Sequence, residues 1–423
     1  MTEFTRREIL KALAAAGIYG GVIPMSGLSN LVFASEPRSS ALLVIVHLRG
    51  GCDGLNLVSP ASDPDFIAAR ASELRVLCEG KDAGYPLEHG PASNIDFRLH
   101  TAAGGLAELY KQGNLAFIHA CGLTDATRSH FVATDMIERG VGTTTALSTT
   151  ESGWLARSIE ARHGALSNGL QAISINGAVT GDLQGLDGAI AIPDVNYGLP
   201  MIGGAGVAAA LWNMYSNDKG PVGVAGRRAL QLPSMVDQKI GRDADGHVIP
   251  YQPDNGVNYN MAGGFANSLK SAAHLIKMDV GLQAITLEYG NWDTHEYQQG
   301  RFRNLVDPLS SGLSAFWNDL SAYHDRMVVV GLTEFGRRLR SNKSGGTDHG
   351  RGSLMFVLGG KVRGGRFYGA WPGLSSARLD EGVDLAVMTD YRSVLTEVLD
   401  HVNGGRNSSI FPNYIHRGSL GIF

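Results

Sequence analysis

The sequence predicts an α/β protein whose core is a central, mostly parallel sheet flanked by helices, and three features predict it. Apolar runs at Leu42–Leu48, 115–120, 282–287 and Met327–Leu332 are continuous rather than alternating, as in strands buried on both faces. Segments of helical periodicity lie between several of these runs, the alternation that favours parallel pairing and right-handed crossovers. Each run also passes at once into polar residues able to bind or react. In open α/β sheets the ligand crevice lies beyond the carboxyl ends of the strands, so residues far apart in sequence can meet there.

The elements follow in order. The N-terminus, MTEFTRREILKALAAAGIYGGVIPMSGLSNLVFASEP, places Arg6-Arg7 before a weakly apolar segment that ends in Val32-Phe33-Ala34, a small-x-small cleavage pattern. It reads as a twin-arginine export signal over residues 1–34, leaving residues 35–423 as a single domain. A membrane span is not expected after its removal, because glycines, serines and Pro24 interrupt the run before it reaches bilayer length. The strand Leu42–Leu48 then leads into a tight Gly-rich turn carrying Asp53. A helix over 101–112, closed by Gly113, precedes the strand at 115–120. Further helices are predicted over 154–161, 265–278, 306–323 and 391–402, with a strand at 172–175. Residues 185–260 are rich in Gly, Pro and Asn with one short helical piece, 207–215, and read as an insertion capping the crevice.

Composition narrows the function. In 423 residues, 36 Lys and Arg face 40 Asp and Glu, a formal net charge of −4, so nucleic acid and anionic membrane are not expected as main partners. Glycine is the outlier, with 56 residues, which suits many loops and sharp strand-to-loop transitions. The three cysteines, Cys52, Cys78 and Cys121, make neither a disulfide framework nor a zinc spacing, and buried free thiols are expected.

The strand ends carry the candidate chemistry. LLVIVHLRGGCDGLN delivers Asp53; NLAFIHACGLTDATRSHF delivers Thr124, Asp125, Ser129 and His130; LQAITLEYGNWDTHEYQ delivers Asp293 and His295; and MVVVGLTEFGRRLRSNKSGGTDHGRG delivers Glu334, Asp348 and His349. Asp293 and His295 share a face if their segment is extended, and can then reach the same ion. Asp348 is a candidate for orienting an imidazole from behind. Ser129 stands where a helix starts, which suits a nucleophile beside unpaired amides and equally suits a plain N-cap. Arg128 or Arg337 is a candidate for neutralising an anion, since guanidinium binds such oxygens bidentately.

Taken together, TRREILK, LRGGCDGLN, RSHF, NWDTHEYQ, LTEFGR and GTDHGRG resemble DUF1501, a family of bacterial twin-arginine-exported proteins related to the alkaline phosphatase and sulfatase superfamily. The resemblance implies an alkaline-phosphatase-like α/β fold, a divalent metal site (zinc, manganese, magnesium or calcium) and hydrolysis of small anionic phosphate or sulfate esters, glycan-derived ones included. It implies Asp53, Asp293, His295 and His349 as metal ligands, and Ser129, or else Thr124, as nucleophile. The usual strand-end Asp-His pair stands here as Glu334-Phe335, so one tight site and a weak or absent second site are expected. CGLTD lacks the residues flanking a formylglycine cysteine, which argues against that type of sulfatase. The rival expectation is a non-catalytic binding or scaffold protein that keeps its metal for structure.

Overall fold

The computed structural model describes residues 41–163, 170–199, 204–259, 263–405 and 409–423. The expected export signal, residues 1–34, lies outside the described residues. The strands that frame the site are β1 (Leu42–Leu48), β2 (Leu115–Gly122), β3 (Ala172–Ile175), β4 (Ala189–Ala191), β5 (Ala284–Tyr289), β6 (Met327–Leu332), β7 (Ser353–Gly359), β8 (Arg366–Tyr368) and β9 (Thr389–Asp390). Among the described residues they form one sheet in the order β8-β2-β7-β6-β1-β5-β3-β4, with β9 also paired to β2.

The expected architecture, a mostly parallel central sheet flanked by helices, is what the structure has. β1 is central and parallel to both neighbours, with Val44 opposite Val329 of β6 and Ile285 of β5. Every residue of β1, β6 and β7 is buried, which explains their unbroken apolar runs. β7 is the exception in direction, antiparallel to both β6 and β2. Consequently β1 and β2 do not pair, contrary to the strand-helix-strand reading; they run the same way with β6 and β7 between them. The loop joining β6 to β7 therefore starts and ends at the same edge of the sheet as the carboxyl ends of β1, β2 and β5. That geometry gathers the candidate residues.

Eight helices are used below: α1 (Gly104–Lys111), α2 (His130–Arg139), α3 (Trp154–His163), α4 (Gly204–Ser216), α5 (Pro221–Asp237), α6 (Gly263–Lys277), α7 (Gln298–Asp319) and α8 (Tyr391–Asn403). One apolar layer packs α1, α6 and α7 on one face of the sheet, through Leu106, Leu109, Leu269, Ile276, Phe302 and Phe316. The opposite layer packs α2, α3 and α8, through Met136, Ile137, Trp154, Leu155, Val394 and Val398. α7 begins at Gln298, eight residues before the start expected from sequence. Pro308 looks like a helix-start residue, yet here it sits inside the helix.

The Gly-rich region read as an insertion supplies β4, at the sheet edge, and the helices α4 and α5. α5 escapes sequence reading because Gly223, Gly226 and Pro233 interrupt it, although Leu232 and Val236 are buried in the α6–α7 layer. Asp319 at the end of α7 anchors the region's far end: its carboxylate accepts the hydroxyls of Tyr251 and Tyr259, both at 2.8 Å, and the Asp254 amide at 2.7 Å, and it pairs with Lys277 Nζ at 2.6 Å. Asp319→Ala leaves two buried tyrosine hydroxyls and the Asp254 amide without their acceptor, and Lys277 with Asp254 as its remaining partner, at about 3 kcal/mol. Limited proteolysis is expected to cut residues 238–259 in this variant well before the wild type.

Candidate metal centre

At the carboxyl edge of the sheet, four side chains from three segments bring their donor atoms together: those of His130, Asp293 and His349 all lie within 4.8 Å of one another, and His295 joins them through His349 and Asp293. His349 Nε2 lies 2.9 Å from His295 Nε2, 3.1 Å from His130 Nε2 and 3.1 Å from Asp293 Oδ1. Asp293 Oδ1 is also 3.0 Å from His295 Nε2 and 3.6 Å from His130 Nε2. Donors bound at about 2.0–2.1 Å in a tetrahedron stand about 3.3 Å apart, so these separations bracket the spacing of a zinc-like site. Asp293 and His295 come from the extended segment after β5, His349 from the β6–β7 loop, and His130 from the first position of α2.

The outward nitrogens of the three rings decide what the inward ones can do. His349 Nδ1 is 2.9 Å from the Arg128 carbonyl, which can only accept, so this nitrogen carries the proton. His295 Nδ1 is 3.2 Å from Asp348 Oδ1, and the same reasoning applies. His130 Nδ1 makes no hydrogen bond, but Glu334 Oε1 stands 3.4 Å from it, and that negative charge favours the proton on this side of the ring. Three Nε2 lone pairs and one carboxylate oxygen are thereby turned on one another, an arrangement that repels itself until a cation joins it. Carboxylate and carbonyl partners behind ligating imidazoles are how metal-binding histidines are oriented. Three imidazoles with one carboxylate suit zinc and other borderline ions better than calcium or magnesium.

The carboxylates stay ionised. Burial raises the pKa of Asp293, but the hydrogen bond and charge of Arg337 outweigh it and hold the group at about 2. Glu334 is likewise held at about 2, against its burial, by His130 and the amides of Gly50 and Gly51. Those two amides reach one carboxylate because both glycines have positive φ, +117° and +68°. Glu334 raises the pKa of His130, whereas burial lowers that of His349. Phe335 packs against the rings of both, with centroids 4.9 and 4.8 Å away. Arg49 donates to Glu138 of α2 and to Glu288 of β5, tying the helix that begins with His130 to the strand that leads to Asp293.

Not every sequence candidate joins this group. Asp53 is fully buried and its oxygens are committed, to Arg70 at 2.5 and 3.0 Å and to Gln298 at 2.7 Å. A guanidinium thus holds the carboxylate that the resemblance gives to a metal. Glu334 is occupied by the glycine amides and Thr333, and it braces His130 from behind. Asp348 backs His295 and accepts from Asn342. Arg337, read as an anion clamp, is buried: it donates to the carbonyls of Gly50, Gly51, Thr347 and Trp292 and to Asp293, and has no face left for an incoming anion. The guanidinium of Arg128 pairs with Asp384 and Glu381, and its carbonyl is the part that serves the site. Ser129 is exposed at the N-cap position of α2 and its side chain makes no capping hydrogen bond. Thr124 Oγ1 donates to the Gly142 carbonyl at 3.3 Å. Cys52 and Cys121 are buried free thiols; Cys78 is free and partly buried.

His130 is the participant that sequence reasoning leaves out as a ligand. It stands beside a serine at a helix start, where the dipeptide reads as a cap. The available signal was its place beyond the β2 strand end, equivalent to that of His295 beyond β5.

The model of a family described as "Protein of unknown function (DUF1501)" matches residues 243–400, where the resemblance seen in the sequence is thus borne out. No curated protein matches the chain. Three of the solved structures to which it is similar are a protein in the alkaline phosphatase superfamily from Vibrio parahaemolyticus (11% identity, 97% of this chain and 78% of that one, TM-score 0.38), the lipoteichoic acid synthase LtaP from Listeria monocytogenes (11%, 90% and 78%, TM-score 0.39) and a 2-O GAG sulfatase (10%, 90% and 76%, TM-score 0.34). Among the described residues, no helix is long and apolar enough to cross a membrane.

Proposed function

We propose that this chain is an exported, metal-dependent hydrolase-like protein acting on phosphate or sulfate esters. The observation that carries the reading is the convergence of His130, His295 and His349 Nε2 on Asp293 Oδ1, with each Nδ1 facing an acceptor. A divalent ion held there supplies Lewis acidity toward an ester oxygen or a bound water. The protein's own contribution is to hold the four donors, keep the imidazoles in one tautomer and present the Ser129 hydroxyl at the first turn of α2, whose free amides favour an anionic ester. Purified without chelator and tested with added zinc, manganese or calcium, the protein is expected to hydrolyse aryl phosphates or aryl sulfates. Ser129→Ala should abolish turnover while keeping the metal, and no turnover of either ester class with metal bound would refute the enzymatic reading.

One observation favours the rival reading, a binding or scaffold protein with a structural ion. With His295 added to His130, Asp293 and His349, four protein donors would fill a tetrahedral shell, as in structural zinc sites, whereas catalytic ones keep a position open. The Ser129→Ala comparison separates the two. Export is proposed from the Arg6-Arg7 signal; Arg6→Lys with Arg7→Lys is expected to hold the precursor in the cytoplasm, and an unchanged exported yield would sink that proposal.

A further inference from the structure

Large apolar side chains scattered singly over a surface need no explanation, but their placement here is not scattered. Four among the described residues are more than three-quarters exposed: Phe131 at 86%, Tyr197 at 84%, Ile415 at 81% and Tyr297 at 76%. Two of these four adjoin the metal centre. Phe131 directly follows His130 in the first turn of α2, and Tyr297 lies two residues beyond His295, at the entrance to α7. His130 and His295 converge on the same Asp293 oxygen, at 3.6 and 3.0 Å, so the two exposed aromatic residues are carried by backbone that flanks one centre.

Tyr297 is also held in place by an unusual backbone. Its φ is +50°, a left-handed conformation that a bulky side chain seldom adopts, and such outliers cluster at binding sites. Its amide donates to the Ser344 carbonyl, and the next amide, of Gln298, donates to the Gly345 carbonyl. Gln298 in turn is fully buried and donates to Asp53. The ring that projects from this turn is therefore carried on a well-anchored base.

We infer that Phe131 and Tyr297 form an aromatic rim that binds the ring of an ester substrate, so that the substrate class is a phosphate or sulfate monoester carried on a ring rather than on a short open chain. This rests on the metal-dependent reading above. An aromatic face accepts either another aromatic ring or the C–H face of a pyranose, and the chemistry common to both is a flat ring placed next to the anionic group. The anion is then drawn to the metal side of the rim while the ring stacks outside it.

The test uses the full chain loaded with zinc and three non-hydrolysable probes, phenylphosphonate, a glucopyranosyl phosphonate and methylphosphonate, titrated calorimetrically. At least one ring probe should bind more tightly than methylphosphonate, and the tighter of the two ring probes identifies whether aryl or sugar rings are preferred. Phe131→Ala and Tyr297→Ala should each weaken that ring probe about fivefold and leave methylphosphonate unchanged, the size expected for losing one ring contact. Both positions are exposed, so the variants are expected to fold, and zinc content is measured on the same samples. Full zinc loading with ring-probe affinities unchanged in both variants overturns the aromatic rim alone. A wild type that holds no zinc overturns the centre beneath it.

Discussion

Replacing His130 by alanine is expected to abolish metal binding at the proposed centre while leaving the sheet intact. The side chain is partly exposed at the start of α2, and its loss removes one of four converging donors without opening the core. Losing an outer partner of a ligating histidine typically lowers metal affinity about 10–100-fold, so losing a ligand should exceed about 100-fold. His295→Ala and His349→Ala should behave alike. Asp53→Asn distinguishes this centre from the one implied by family resemblance: with Asp53 tied to Arg70, the variant should lose stability and keep its metal. Elemental analysis of the four variants, each checked for folding by circular dichroism, provides the comparison; a His130→Ala protein with wild-type metal content would show that His130 is not a ligand.

The second large effect is expected at Arg70. Its side chain and that of Asp53 are both fully buried, so Arg70→Met strands a carboxylate whose remaining hydrogen-bond donors are Gln298, Thr347 and one amide, with the Arg337 charge close by. Breaking such a pair from one side costs about 3–5 kcal/mol, and Asp53→Asn added to it should recover part of the loss. The pH dependence should change sign as well. In the wild type, burial works to raise the Asp53 pKa, but the charge and hydrogen bonds of Arg70 hold it below the ordinary carboxyl value. The pair's stabilisation is thus complete above the ordinary value and is lost as the pH falls toward the lowered one. Without Arg70, burial prevails and the carboxyl pKa rises; the variant should then lose stability as the pH increases through that raised value. Urea midpoints at several pH values test this, and parallel pH profiles for the two proteins would contradict it.

What the sequence made legible follows from burial. β1, β6 and β7 show as unbroken apolar runs because both faces of the sheet are covered, and their ends locate the polar loops. Asp293, His295 and His349 could be named because each follows or precedes such a run at close range. The missed features depend on partners distant in sequence. That Asp53 is spent on Arg70 depends on a residue in an irregular stretch with no periodicity to place it. Arg337 looks solvent-facing in a loop of Gly, Ser and Arg, and only the fold wraps the carbonyls of Gly50, Gly51 and Thr347 around it. The antiparallel direction of β7 was hidden for a related reason: a buried apolar strand reads the same in either direction.

The most direct test is the metal content of the wild-type protein purified without chelator and then incubated with zinc, manganese and calcium in turn. Convergence of three imidazole nitrogens and Asp293 Oδ1, with Asp53 and Glu334 already engaged elsewhere, predicts one tightly held equivalent, strongest with zinc and released on acidification as the imidazoles protonate. Two tightly held equivalents would show that further donors are available, and no bound metal with any of the three ions would contradict the centre itself.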